Sequence, residues 1–306
     1  MHSLKSFASI FADRTLVKTG ISAIVTAYDR IEQTLATLGV IYNCRPEPDE
    51  VLVHVDANQT ECEQAIRNAF PAVRILRSND QVGPGGGRNK LLNAARFEFV
   101  ASFDDDSCPI DSHYFERALK LYDQFPEASV ICAALYHLGE AIGLDDRHAE
   151  WTADFSGGAC IFRRAAFLEA GGFVPLPVAY GMEEVDLAIR LHSQGGKILT
   201  TRWLRVFHNT DLKRHSDPTV TAGSIANLAL LAYLRYPVSL WAIGAGQCLN
   251  RLLWLLRHGR HRGIFRGVAM IPAHLRENRR YRSPVSKGAV RSYLALRRAP
   301  ISASLT

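Results

Sequence analysis

Three things are scarce in this chain. No two of its six cysteines, at positions 44, 62, 108, 132, 160 and 248, form a CxxC pair. Neither a zinc site nor a disulfide framework is therefore expected, and reduced thiols in a cytosol are the simplest reading. No run of about twenty apolar residues occurs, because Arg235, Gln247, Asn250 and Arg251 interrupt the apolar stretches 225–234 and 238–256. A transmembrane helix is not expected, and the first twenty residues lack the long uncharged apolar core and cleavage site of a signal peptide. Acids are nearly missing from the end of the chain: from Arg251 onward there are thirteen Lys or Arg and one acid, Glu277, against 23 Lys or Arg and 29 acids before it.

What is present is an ordinary globular composition, 47% hydrophobic and 22% charged over 306 residues, enough for one large domain with an appendage or two small ones. The acidic body and basic tail point to a polyanionic partner, anionic lipid or nucleic acid, or to a merely solvated cationic surface. Basic, Trp-containing amphipathic helices such as 249–266 suit a membrane surface, and they equally suit packing on the rest of the protein.

The first half alternates short apolar runs with helical periodicity. Strands are predicted at 21–27, 51–55, 73–76 and 97–103, and helices at 31–42, 61–69 and from the glycine cluster to Arg96. That alternation argues for βαβ units and a parallel sheet, with ligands outside the carboxyl ends of the strands. The fourth strand ends in Asp104, Asp105 and Asp106, three carboxylates costly to desolvate together. They make sense around a hard cation such as Mg²⁺ or Mn²⁺, or as an acidic turn before a helix starting near Asp111. The cluster Gly83-Pro-Gly-Gly-Gly-Arg-Asn89 is neither a P-loop nor a dinucleotide fingerprint. It either lets backbone approach a ligand, with Arg88 as a phosphate-binding cation, or is a flexible connector.

In the second half a strand is predicted at 130–138, loop at 139–153, a strand at 155–162, a short helix at 163–170 and a turn at Pro175 and Pro177. A helix is expected over 180–191, with Asp186 and Arg190 paired four apart and Glu183 and Glu184 at its N-terminal end, where the dipole alone would favour them. A strand at 197–206 then leads to His208, a structural histidine, a ligand or a base.

Segments 21–30, 51–56 and 83–89, Asp104 to Asp106, Ser156 to Ala159, Gly171 to Phe173, Glu183 to Leu187 and His208 stand in an order that resembles the family 2 glycosyltransferases. The likeness spans roughly residues 20–210; each motif alone is weak and the ordered set is specific. It implies a GT-A fold, an α/β architecture with a Rossmann-like, mainly parallel sheet, over 19–215, after a lead at 1–18 and before a helical basic region at 216–306. It implies transfer of a sugar, with inversion, from a nucleotide-sugar (a UDP-sugar foremost) to a glycan or lipid-linked acceptor, with Mn²⁺ or Mg²⁺. By the same resemblance Thr26, Tyr28, Asp56, Arg88 and Asp104 match nucleotide positions, and Asp106 and His208 match metal positions. Gly157 and Gly158 match the floor of the sugar and acceptor site. Glu184 matches the base, usually the aspartate of a Glu-Asp pair; here the pair is Glu-Glu, so Glu183 stays a second candidate. The expected setting is the cytoplasm or the cytoplasmic face of a membrane, with no nucleic-acid partner. A nucleotidyltransferase, or a non-catalytic nucleotide-sugar-binding protein, is the alternative.

Overall fold

The computed structural model describes residues 18–144, 146–176, 182–210 and 217–305. The lead expected at 1–18 lies outside them except for Lys18, as do the expected turn residue Pro177 and the start of the helix at Tyr180.

Strands β1 (Lys18–Ala27), β2 (Glu50–Val55), β3 (Arg74–Arg77) and β4 (Phe97–Asp104) form the parallel half of the sheet, in the order β4-β1-β2-β3. Helices α1 (Ile31–Asn43), α2 (Thr60–Ala69) and α3 (Gly83–Ala94) make the crossovers. Side chains alternate between the two faces of a strand. Ile24, Leu52 and Val100 accordingly join Leu91 and Leu92 of α3 in one core, while Val25, Val53 and Ala101 join Leu38, Ile41 and Ile66 in the other. The register sets Thr26 beside both His54 and Asp104, so three polar residues line up at the carboxyl ends of β2, β1 and β4.

Beyond β4 the sheet becomes mixed. β5 (Ser107–Pro109) pairs antiparallel with β9 (Lys197–His208), β8 (Ala159–Arg163) is antiparallel to β4 and to β6 (Ala128–His137), and β6 runs parallel to β9. Helices α4 (Tyr114–Gln124), α5 (Arg164–Glu169) and α6 (Glu183–Ser193) connect these strands. The segment expected as loop at 139–153 contains β7 (Ala149–Thr152), which pairs with β9. At four residues it is too short to show a period of its own. The strand expected from Phe155 starts only at Ala159, because Ser156 to Gly158 form a turn closed by Ala159 N–H to Ser156 O at 3.1 Å.

The C-terminal region is built onto the same sheet. Asp217 caps α7 (Pro218–Arg235) by accepting from Thr219 N–H at 2.6 Å, with Pro218 in the first turn. Leu230, Leu231 and Leu234 of α7 share a core with Leu187 and Leu191 of α6, and Val290 and Tyr293 of α10 (Lys287–Arg298) close it. The last strand, β10 (Ile301–Ala303), adds to the edge beside β7. The single helix expected at 249–266 is instead two, α8 (Trp241–Arg257) and α9 (Ile264–Glu277), separated by a turn in which Gly259 takes a φ of 69°. A residue in that conformation ends a helix. Among the described residues no helix is long and apolar enough to cross a membrane.

Candidate active site

A cavity of about 290 Å³ opens at the carboxyl ends of β1, β2 and β4. Thr26, Tyr28, Asp56, Asp104, Asp106 and His208 all line it, so sequence-selected residues from four strand ends converge. The pairing of Ser107 with His208 across β5 and β9 brings the histidine, 102 residues away, next to Asp106: its Nε2 lies 3.0 Å from Asp106 Oδ1. The donor atoms of Asp104, Asp106 and His208 lie within 4.8 Å of one another.

The electrostatics follow from these contacts. Burial opposes ionisation of Asp106, but the His208 hydrogen bond and an ion pair with Arg30 outweigh it, and the carboxyl is held below its usual range. Burial also disfavours a charged His208, yet the Asp106 hydrogen bond and the charges of Asp104 and Asp106 raise its pKa. A divalent ion held by the same atoms would have to displace any proton held between this pair. Asp105 turns inward, its carboxylate accepting from Tyr28 N–H at 3.2 Å and facing Arg30 at 3.2 Å. Burial pushes its carboxyl up to about 7 despite Arg30.

Asp56 lines the cavity, but its oxygens are already engaged. Oδ1 accepts from Ala57 N–H and Val82 N–H, both at 3.0 Å, and Oδ2 from Gly83 N–H at 2.9 Å. It caps the start of α3, which begins at Gly83 itself: the glycine cluster is the first turns of the helix and not a connector before it. The reason for the small residues is proximity. A Cβ on Gly85 would collide with the Glu183 carboxylate, and one on Gly158 with that of Asp104.

Arg88 sits one layer behind the cavity. It is 2% exposed. Its guanidinium pairs with Asp104, reaches Glu183 Oε1 at 3.5 Å and donates to Ser102 Oγ at 3.1 Å. α3 turns this side chain into the protein, where it meets carboxylates. Ser102 Oγ and Ser107 Oγ in turn donate to the carbonyls of Gly157 and Gly158, each at 2.7 Å, which seats the glycine pair under Asp104.

The two glutamates flank this layer differently. Glu183 is 3% exposed, and among the described residues its Oε2 has no hydrogen-bond partner. Burial, then the charge of Glu184, pushes its carboxyl up to about 8. Glu184 keeps partial exposure and accepts from Gly157 N–H at 3.4 Å. Burial raises its pKa as well, with Arg88 pulling the other way. Asp186, on the same helix, is wholly buried between Arg190 at 2.6 Å and Arg235 at 2.5 Å. Its expected pairing with Arg190 is present, and a second arginine from α7 joins it.

Sequence reading missed Arg30, His54, Gln81 and Thr210, all on the cavity wall. Arg30 lay inside a recognised segment without a role assigned to it. Buried His54, pushed down to about 4 by its burial, lay within an apolar strand, and nothing in the sequence marks Gln81 or Thr210.

The glycosyl transferase family 2 profile matches residues 22–150. No curated protein sequence matches the chain. Among solved structures, GalNAc-T7 with UDP, GalNAc and Mn2+ aligns over 72% of this chain and 48% of its own, with a TM-score of 0.57 at 13% identity. TarS of S. aureus aligns over 70% of this chain and 42% of its own, with a TM-score of 0.49 at 16% identity. The chain thus spans about half the length of these structures, and at 13% identity the likeness to GalNAc-T7 is one of fold. With the profile match, the mixed α/β sheet and the order of its strands, the chain has the GT-A fold of the family 2 glycosyltransferases.

Proposed function

We propose that the protein is an inverting glycosyltransferase that moves a sugar from a nucleotide-sugar, a UDP-sugar foremost, to a hydroxyl of a glycan or lipid-linked acceptor. The observation that carries this reading is the convergence of Asp104, Asp106 and His208 at the mouth of a cavity on the carboxyl ends of the parallel strands. Two carboxylate oxygens and an imidazole nitrogen suit Mn²⁺, with Mg²⁺ as the harder alternative. Bound there, the ion would neutralise charge on a departing nucleoside diphosphate. The UDP and Mn2+ of the GalNAc-T7 structure support the same choice for this fold.

The chain's own residues do the rest. Thr26 and Tyr28 face the nucleoside, with Tyr28 45% exposed on the cavity wall. Arg30 adds a positive charge beside the acids, and Arg88 holds Asp104 in place from behind. Glu184, partly exposed beside Gly157, takes the proton from the acceptor hydroxyl. Glu183, buried and held neutral up to about pH 8, is a packing partner of α3 and not the base.

The test is a screen of nucleotide-sugars for hydrolysis and transfer, with Mn²⁺ and with excess chelator. Metal-dependent release of nucleoside diphosphate from one of them is the expected result. A nucleotidyltransferase would instead, with pyrophosphate added, convert the nucleotide-sugar to nucleoside triphosphate and sugar 1-phosphate, and a binding protein would retain the donor without turnover; either outcome overturns the reading.

A further inference from the structure

Nine of the fifteen large apolar side chains that are exposed among the described residues lie between Val238 and Val268. The centre of this patch is α8. Of its seventeen residues only Gly244 and Leu255 are buried. Leu249, Leu253 and Leu256, at the i, i+4, i+7 spacing that puts side chains on one helix face, are 57%, 41% and 48% exposed. The polar residues point the other way. Arg251 lies on the inner side, donating to Ser224 Oγ of α7 at 3.3 Å, and Gln247 bonds the Tyr236 hydroxyl at 3.1 Å. An amphipathic helix on a protein in water turns its leucines inward; this one turns three of its five out. Trp241 and Trp254 flank the leucines, and past the turn Phe265 is 87% exposed.

The charge around the patch has one sign. No Asp or Glu occurs from residue 218 to residue 276. Arg257, Arg262 and Arg266 are exposed around the turn between α8 and α9.

We infer that the outer face of α8, with the turn leading into α9, docks on an anionic lipid bilayer. Leucines of this depth enter the boundary between headgroups and acyl chains, tryptophans sit at that boundary, and arginines at the rim meet anionic headgroups. A phosphate backbone would satisfy the arginines but offers nothing to three outward leucines. The inference narrows the basic tail: α10 and β10 are docked on the sheet, which leaves the segment 238–268 as the lipid-facing part. Beneath α8 a groove of about 430 Å³ runs to Val185, the neighbour of Glu184.

The experiment is flotation of the full-length protein with neutral phosphatidylcholine vesicles and with vesicles in which about a third of the lipid is phosphatidylglycerol. The protein should float with the anionic vesicles, weakly with the neutral ones, and lose binding as salt rises. Leu249→Gln/Leu253→Gln/Leu256→Gln should weaken vesicle affinity by about tenfold or more at unchanged circular dichroism. Arg257→Gln/Arg262→Gln/Arg266→Gln should erase the preference for anionic lipid, and Phe265→Ser alone should weaken binding at a fully exposed position. Failure of the parent protein to float, or unchanged flotation of the leucine variant, overturns the inference. So does a dimer in solution that the leucine variant dissolves, or RNA binding that competes with vesicles. Flotation needs neither donor nor acceptor, so its outcome and that of the nucleotide-sugar screen are independent.

Discussion

Two short regions each carry three acids, and they are wired in opposite ways. At the end of β4, Asp104, Asp105 and Asp106 line a cavity and meet cations from elsewhere, Arg30, Arg88 and His208, while burial pushes Asp105 up to about 7 against the pull of Arg30. In the first turn of α6, Glu183, Glu184 and Asp186 sit behind that cavity. There Asp186 takes two arginines, Glu183 has one distant arginine contact, and Glu184, partly exposed, meets the Gly157 N–H. Equal numbers of carboxylates therefore do different work, and which one is ionised depends on the partner each meets. Helix-end electrostatics would treat the α6 acids alike, at ~0.3–1 kcal/mol each. Their actual surroundings separate them by much more.

Substitutions can break this contrast one acid at a time. Asp106→Ala removes the residue that joins His208 to the cluster. Turnover should fall by at least ~10³, with loss of Mn²⁺ binding measured by calorimetry and an intact fold. Full activity of this variant in excess chelator would refute the metal reading. Glu184→Gln should lower single-turnover sugar transfer by ~10²–10⁴ while donor affinity holds. If Glu183→Gln is dead and Glu184→Gln transfers near the parent rate, the two roles are reversed.

Asp186→Asn leaves Arg190 and Arg235 buried with a neutral partner. Breaking a buried pair in this way costs ~3–5 kcal/mol, so the denaturation midpoint should drop well before any effect on donor affinity is seen. A variant as stable as the parent would show that the buried pair contributes little.

Glu183→Gln should have the smallest effect near neutral pH, because the parent side chain is already mostly protonated there. The folded-state pKa is raised from 4.5 to about 8. Its contribution to stability is therefore fully present below about pH 4.5 and is lost as pH rises through about 8. The Gln variant should flatten the stability profile across that window in parallel denaturation series. Because burial raises Glu184 as well, the acid limb of the transfer rate should lie above the ordinary glutamate range, rising with pH as the base ionises. A limb at the ordinary value would place the base in a more solvated position.

The chain by itself determined the parallel half of the sheet. Apolar runs ending in polar residues, separated by helical periodicity, specify βαβ units, and the carboxyl ends of those strands carry Thr26, Asp56 and Asp104 whatever else happens. It also determined that Asp106 and His208 are chemically able to share a cation. Periodicity and residue type are local properties, and local properties survive without the fold. The tertiary structure alone decided what each charge meets. Arg88 meets Asp104 and Glu183 because α3 packs Gly85 against Glu183 of α6 and Gly87 against Thr26 and His54 of the sheet. Asp186 gains Arg235 from a helix 49 residues away. The contrast between α7 and α8 has the same origin. Both are apolar, yet twelve of the eighteen residues of α7 are buried and only two of the seventeen in α8. Hydrophobic residues leave water only where a surface is available to receive them; α6, α8 and α9 receive α7, while the outer leucines of α8 stay uncovered among the described residues.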